Sequence, residues 1–476
     1  MRLSNATLAQ LPAGVVRPRY DRAALATGIV HLGIGAFHRA HQAVYTEAAL
    51  AAGDRRWGTL GASLRSTATR EALAPQDGLY TVAVRDAGPE RLRVVGAVTG
   101  LVAGDSATLC AAMAAPDVRI VSLTVTEKGY CRAAGGLDVA HPDIRHDLAH
   151  PHVPRSAPGV LIEALRLRHA AGLPAFTVLC CDNLPANGRT VHGVLQQFAS
   201  LRDPAMAAYV ADLRCPATMV DRIVPATTDA ERALIDAALG LTDAWPVVTE
   251  PFSQWVIEDD FGAGRPDWDA TFVTDVAPFE LAKLRMLNGA HSALAYLGYL
   301  AGCETVSDTM AKPGFHDFTR RLMLQEAAPT LPPVPGLDLS QYAGSLLARF
   351  QNPALHHRTW QIAMDGSQKL PQRLLDTVRD RVAVGAPFGR LALGVAGWMR
   401  YVQGADDRGR PIDVQDPLGG HLRVAGPPGA VVDALLGIAA VFGTDLPRHA
   451  PFRQAVTDAF TSLTHHGAAV TVARIA

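Results

Sequence analysis

The sequence predicts an α/β fold: a doubly wound parallel sheet in the first part of the chain, followed by a mainly α-helical second part. Three observations carry this. Short apolar runs alternate with helix-like segments up to about residue 278. Those runs are apolar almost throughout, as strands covered on both faces are. Beyond that point one helix-like segment follows another. A chain of 476 residues also exceeds what one core usually serves, so two domains are expected, 1–278 and 279–476.

The elements follow in order. "GIVHLGIG" (28–35) is a β-branched run that ends in glycines, and "FHRAHQAVYTEAALAAG" (37–53) reads as a helix. "WGTLGASL" (57–64) and "VRIVSLTV" (118–125) are strands, with "LYTVAVRD" (79–86) and "RLRVVGAV" (91–98) an antiparallel insertion between them. "PGVLIEALRLRHAAG" (158–172) is a helix closed by Gly172, "AFTVLCC" (175–181) a buried strand, and "GRTVHGVLQQFASL" (188–201) another helix. The helical part starts with "FELAKLRMLNGAHSALAYLGYLAG" and runs to "FRQAVTDAFTSLTHHG", interrupted by the Pro-rich connector 329–339.

Hydrophobic residues make up 49% and charged residues 19%, with a formal net charge of −1, so no basic excess invites nucleic acid or an anionic membrane. The longest apolar runs fall well short of the roughly 20 residues of a membrane span. "MRLSNATLAQLPAG" lacks the apolar core of a secretory signal. Six cysteines without a CxxC pair predict neither a disulfide framework nor structural zinc, and point to a reducing cytoplasm.

Gly33-Ile34-Gly35 follows the first strand and opens a helix. Such a turn lets backbone approach a pyrophosphate, with the helix N–H groups facing the anion. A GxG alone also fits an ordinary turn, and His38 stands where the third glycine of a Rossmann-type fingerprint would be. No acid follows the second strand: "GASLRST" offers Arg65 and Ser66. NAD and NADP therefore both stay open, since an acid would hold the ribose 2′-hydroxyl and an arginine would accept a 2′-phosphate.

In "ELAKLRMLNGAHS" (280–292) a lysine, an asparagine and a histidine fall among apolar neighbours. At about 100° per residue, with Lys283 at zero, Glu280 lies near 60°, His291 near 80° and Asn288 near 140°. Proton transfer beside a polarised C–O bond uses such a set. A lysine drawn out of water exchanges a proton with the reacting oxygen, and an amide stabilises the developing alkoxide. The alternatives are a lysine that snorkels to water and a satisfied core histidine.

"KLRMLNGAHS" resembles the K-x-x-x-x-N-x-x-H signature of the polyol-specific long-chain dehydrogenases, the mannitol dehydrogenase family. "GIVHLGIGAFHRAHQAVY", "TVTEKGY" (124–130), "CDNLPANG" (181–188), "MVDRIVPAT" (219–227), "EPFSQWVIED" (250–259) and "NPALHHRTWQIAMDGSQKLPQR" (352–373) resemble family motifs as well, in order along nearly the whole chain. The resemblance implies an N-terminal Rossmann-type domain, a helical C-terminal domain, an active site between them, NAD or NADP, and no metal. It makes Lys283 the general acid/base, Asn183 and Asn288 the oxyanion pocket, His291 a substrate-positioning group and Asp221 a residue of the site edge. The motif allows either Asn183 or Asn187 to reach the substrate; Asn183, directly after the strand, is favoured, and Asn187 before "GRTVHG" also fits a helix N-cap. Gly33, Gly35, Ala36, Phe37, Arg65, Thr126 and Glu127 are the expected cofactor contacts.

Within the family, the basic segment around "DGSQKLPQR" resembles the form found in fructuronate reductases more than the mannitol dehydrogenase form. A hexuronate brings a carboxylate that wants a cation, and Lys369, with Arg373 second, is the candidate; both also fit a solvated helix start. Asp365 fits a brace of that turn as well as a substrate contact. The expected substrate is thus a small sugar acid reduced with NAD, with polyol oxidation (mannitol or arabinitol) or nucleotide binding without turnover as alternatives. A monomer or small homo-oligomer is expected.

Overall fold

The computed structural model describes every residue except Ala87, Ala134 and Ala476. The chain divides into two compact units, Met1–Ala277 and Pro278–Ala476.

The first unit is built on five parallel strands: β1 (Thr27–Leu32), β2 (Gly58–Ser63), β3 (Val98–Ala103), β4 (Ile120–Leu123) and β5 (Thr177–Cys180), in the order β3-β2-β1-β4-β5. The order reverses between β1 and β4. In doubly wound sheets the crevice beyond the strand ends at such a reversal is where ligands bind. Successive side chains serve two cores. Val30, Leu32, Val121, Leu123, Val178 and Cys180 pack under helices Ser106–Ala114, Ala157–Ala170 and Asn187–Arg202. Ile29, Ile120 and Leu179 pack with Ala43 and Leu50 of helix Gln42–Ala51 on the other face. Two covered faces explain why the strands read as continuous apolar runs.

Two expected elements are divided. The helix 37–53 breaks into Ala36–Ala40 and Gln42–Ala51 at His41 (φ −119, ψ −89), whose Nε2–H donates to the carbonyl of Gln254 at 2.9 Å. The run 91–98 splits at Gly96. Strand Arg91–Val95 pairs antiparallel with Tyr80–Val84, beside Val247–Thr249, whereas Val98 starts β3 of the main sheet. A side chain at Gly96 would run into Pro18 at 2.6 Å, and its N–H is held by the buried Glu47 carboxylate at 2.7 Å. A third small sheet, Thr218–Asp221, Gln254–Glu258 and Thr271–Val273, has no counterpart in the sequence reading.

The second unit has no strand among its described residues. Helices Gly289–Leu300, Leu339–Phe350, Gly389–Tyr401 and Ala450–Ile475, the last broken at Gly467, enclose a core around Tyr296, Leu297, Phe318, Val395 and Trp398. Three single-turn π-helical segments interrupt the helical runs: Lys283–Asn288, Leu322–Ala327 and Pro371–Leu375. Among the described residues no helix is long and apolar enough to cross a membrane.

Candidate active site

In the first unit the chain leaves β1 and turns at Gly33, with φ +93. A Cβ there would lie 2.1 Å from the carbonyl oxygen of Thr124, so only glycine fits. Gly35 is different: a Cβ would meet nothing nearer than 3.8 Å, and its φ of −82 is ordinary. What Gly35 leaves is open backbone beside the first N–H groups of Ala36–Ala40, which have no partner within the helix.

His31 underpins the turn. It faces Ser122 across the β1–β4 register and is fully buried. Its Nδ1 lies 2.8 Å from Ser122 Oγ, and its Nε2 lies 2.9 Å from Thr124 Oγ1 and 3.2 Å from the Gly33 carbonyl oxygen. Thr124 Oγ1 donates to the same Gly33 oxygen at 2.8 Å. A consistent proton assignment has Nε2–H donating and Nδ1 accepting from Ser122. Burial pushes the His31 pKa down to about 3, so the ring is neutral. His38, the residue in place of the third glycine, stacks on His31 with ring centres 3.4 Å apart and is also kept neutral, first by burial and then by His31. The stacked pair fills the space that a third glycine would leave for close helix–sheet packing.

Beyond the turn lies a cleft of about 500 Å³ lined by Gly33, Gly35, Ser63, Arg65, Ser66, Thr124, Thr126, Asp143 and Arg155 among others. A second cavity of about 390 Å³ shares Ser63, Leu64, Arg65, Asp143 and Arg155 with it and extends to Gly104, Asp105 and Leu109. The loop after β4 is held by Asp182, whose carboxylate accepts from the backbone N–H groups of Val125 (2.9 Å) and Thr126 (3.0 Å) and from Tyr130 Oη (2.6 Å). Thr126 takes φ +68 there, a costly conformation for a β-branched residue, and lines the cleft. Of the expected cofactor contacts, Gly33, Gly35, Arg65 and Thr126 thus share one cleft. Ala36, Phe37 and Glu127 are not part of its lining: Ala36 starts the helix, the Phe37 ring stacks on His41, and Glu127 is exposed.

Asn183 is exposed just past the end of β5. Asn187 is not an N-cap. It is the first residue of helix Asn187–Arg202, and its buried amide donates to the carbonyls of Asp182 (3.1 Å) and Thr218 (2.9 Å) and accepts from Thr218 N–H (2.9 Å). It bolts the helix to strand Thr218–Asp221, whose last residue, Asp221, is buried. Among the described residues Cys131, His141 and Asp143 have ligand-type atoms within 4.8 Å of one another. Protein partners already engage two of them: Asp143 holds Arg65, and the His141 ring accepts the N–H of Asp143.

In the second unit, Lys283–Asn288 is a π-turn set between α-helical Ala277–Ala282 and Gly289–Leu300. This corrects the α-helical spacing. An i→i+5 turn holds one more residue, so Asn288 falls about 40° from Lys283 instead of about 140°, and His291 about 20° to the other side. Lys283, Asn288 and His291 thereby share a narrow stripe. Lys283 and His291 are each 8% exposed. The opposite side carries the buried Arg285, which donates to Thr330 O at 3.0 Å and pairs with Asp380 at 2.6 Å.

The surroundings of His291 are cationic. Its ring stacks on Phe350 (5.1 Å) and meets His357 edge-on (4.7 Å), and its buried Nε2 has no hydrogen-bond partner among the described residues. Burial first, then His357, Arg373, Arg349 and Lys369, hold its pKa well below the usual histidine range. His357 is lowered to about 4 by burial and by Arg349. Lys369 sits on the short helix Gly366–Leu370, which Asp365 enters at φ +55. A Cβ at Gly366 would lie 2.4 Å from Trp398 Nε1, and Ser367 is clamped by Asp416, so this turn is fixed. Lys369 Nζ donates to the carbonyls of Met364 (2.5 Å) and Ile362 (3.4 Å). Arg373, inside the π-turn Pro371–Leu375, donates to Ser292 Oγ at 3.1 Å. Gly289 lets the two π-turns approach, since a Cβ would lie 2.7 Å from the Arg373 carbonyl oxygen.

Sequence reasoning missed Arg349 and gave His357 no role. Arg349 sits in the last turn of the amphipathic helix Leu339–Phe350, a usual place for an arginine, and so carried no distinguishing signal. Its 8% exposure would have been the clue.

Two family models match the chain: the mannitol dehydrogenase Rossmann domain over residues 27–270 and the mannitol dehydrogenase C-terminal domain over residues 275–464. The chain is 50% identical to the D-mannonate oxidoreductase of Escherichia coli K12, over 97% of this chain and 98% of that protein. It is 40% identical to the mannitol 2-dehydrogenase of Aspergillus terreus, over 98% of this chain and 97% of the other. Among solved structures, Pseudomonas fluorescens mannitol 2-dehydrogenase, in a ternary complex with NAD and D-mannitol, superposes with a TM-score of 0.92 at 38% identity, covering 100% of this chain and 99% of that one.

Proposed function

The chain belongs to the mannitol dehydrogenase family of oxidoreductases acting on CH–OH groups, and on that premise we propose that it is an NAD-dependent reductase of a hexuronate-type keto acid, interconverting D-fructuronate and D-mannonate. The observation that carries the substrate class is the cationic surround of His291. Arg349, Lys369 and Arg373 all act on a buried ring that stays neutral. Three cations gathered about one buried ring are suited to a substrate carboxylate, which a neutral polyol would not supply. The 50% identity to a D-mannonate oxidoreductase supports the same class.

The first-unit cleft suits a dinucleotide: Gly33 and Gly35 expose backbone at the sheet's reversal point, and the adjoining cavities provide length. When bound, NADH supplies the hydride. The protein's own part is protonic and electrostatic. Lys283 gives a proton to the ketone oxygen as that oxygen gains charge, and takes it back in the oxidative direction. Asn288, brought beside Lys283 by the π-turn, donates its amide N–H to the same oxygen. Neutral His291 offers Nε2 to a substrate hydroxyl; burial first, and then the neighbouring cations, keep it unprotonated. Arg349, Lys369 and Arg373 receive the carboxylate. For Asn183 and Asp221 the motif-based roles, oxyanion donor and site edge, stand as the proposal. Thr126 is proposed as a backbone-held cofactor contact, with Ala36, Phe37 and Glu127 retained from the motifs.

The test is initial rates with NADH and D-fructuronate, tagaturonate and D-fructose, side by side. Strong preference for D-fructuronate is the expected result. Preference for D-fructose would move the chain to the polyol branch and remove the carboxylate argument. NADH binding without turnover on any of the three would favour a non-catalytic binder.

A further inference from the structure

The end of β2 carries Arg65 and Ser66 but no acid. In this architecture the adenosine ribose lies at that strand end, and a carboxylate there reads its 2′-hydroxyl. A carboxylate is present at that place, but it comes from another element. Asp143, in the first turn of helix Pro142–Ala149, has Oδ2 2.6 Å from a guanidinium nitrogen of Arg65. The two residues are 78 positions apart in the chain. Both line the cleft of the glycine turn and the adjoining cavity, so the pair stands on the wall common to the two, beside Ser63 at the end of β2.

The two partners are held differently. Asp143 sits on a fastened element. Its N–H is capped by the His141 ring at 3.2 Å, and Asp147 of the same helix is fully buried and accepts from Arg155 N–H (2.7 Å) and Ser156 N–H (2.8 Å). The Arg65 side chain is 80% exposed, on a long stem that can swing.

Resting on the reading of this chain as a dinucleotide-dependent reductase, we propose that Asp143 and Arg65 together select the cofactor. Asp143 is the missing acid: one carboxylate oxygen holds Arg65, and the other accepts from the ribose 2′-hydroxyl of NADH. Arg65 is a latent 2′-phosphate partner, neutralised by Asp143. A 2′-phosphate brings charge of about −1.5 to −2 against that carboxylate, so discrimination against NADPH comes from repulsion as well as from a lost hydroxyl contact. Without the carboxylate, the same place presents a guanidinium, whose fork matches phosphate oxygens.

The experiment is titration of the full-length protein with NADH and with NADPH, without sugar substrate and at fixed ionic strength, followed by nucleotide fluorescence. Wild type should bind NADH more tightly. Asp143→Asn should shift the ratio of the two Kd values toward NADPH by roughly tenfold or more. Arg65→Ala, a change at an exposed side chain, should shift the ratio the other way by leaving the carboxylate unopposed. A ratio unchanged in both variants, or shifted in the same direction by both, overturns the proposal. Failure of wild type to bind either dinucleotide overturns the cofactor reading itself, and the selectivity proposal with it.

Discussion

Replacing His31 by phenylalanine should make the protein less stable at neutral pH but less sensitive to acid. At pH 7.5 the variant loses the bonds of the ring to Ser122 and Thr124, at a cost of about 1–3 kcal/mol. The acid effect has the opposite sign. His31 has a folded-state pKa of about 3, against about 6.5 in the unfolded chain. Its contribution is complete above about pH 6.5 and is lost progressively as pH falls toward 3, because the unfolded chain takes up a proton that the folded one refuses. At pH 5 the folded protein is penalised by about 2 kcal/mol at this residue alone, and phenylalanine removes that penalty. The gap between wild type and variant should therefore narrow by about 2 kcal/mol between pH 7.5 and 5. Carboxylates held above their usual range, such as Glu47 and Asp243, act in the opposite sense but occur in both proteins and cancel in the difference. Urea unfolding followed by tryptophan fluorescence is a suitable assay, because Trp57, Trp245, Trp255 and Trp268 all belong to the first unit. A gap that is the same at both pH values would refute the idea that His31 is held neutral beneath the glycine turn.

Three other outcomes concern the second unit. Lys283→Ala should lower turnover by roughly a thousandfold or more while NADH binding, measured by titration, is kept; near-normal turnover would remove the acid/base assignment. Arg349→Met should reduce kcat/KM for D-fructuronate by roughly tenfold to a hundredfold and leave any D-fructose activity nearly unaltered. Equal losses on both would make Arg349 a structural residue. Gly289→Ala forces a Cβ to within 2.7 Å of the Arg373 carbonyl, so the two π-turns must separate; kcat should fall at least several-fold and the melting temperature should drop, and a variant indistinguishable from wild type in both would show that this approach is not under constraint.

Much of the architecture was legible because burial leaves a regular trace. β1, β4 and β5 are covered on both faces, so their composition announces them. The short strands of the third sheet lie between glycine- and proline-rich turns and are too brief to show periodicity. The break at His41 was hidden because it depends on a bond to Gln254, far along the chain. At the site, the lysine segment was visible as chemistry but not as geometry. The residues of an α-turn and a π-turn look alike in composition, and the difference lies in the hydrogen-bond pattern that packing imposes. Asn187 was misjudged because an asparagine at a helix start usually caps it, whereas here the amide reaches Thr218. Arg349 and Asp143 stand beside neighbours remote in sequence, which no local pattern reports.

The π-turn at Lys283–Asn288 also separates chemistry from chain length, because it takes up one extra residue without turning what lies before it relative to what lies after it. Deleting one residue from its middle would let the segment relax into an ordinary α-helix. With seven residues instead of eight from Lys283 to His291, at about 100° each, the two side chains would still lie about 20° apart. Helix Gly289–Leu300 is almost wholly buried and would stay where it is. A single-codon deletion here is therefore expected to give a folded protein that keeps its lysine and histidine on one stripe, and a one-residue gap in this segment would mark a relative that had lost the bulge and kept its chemistry.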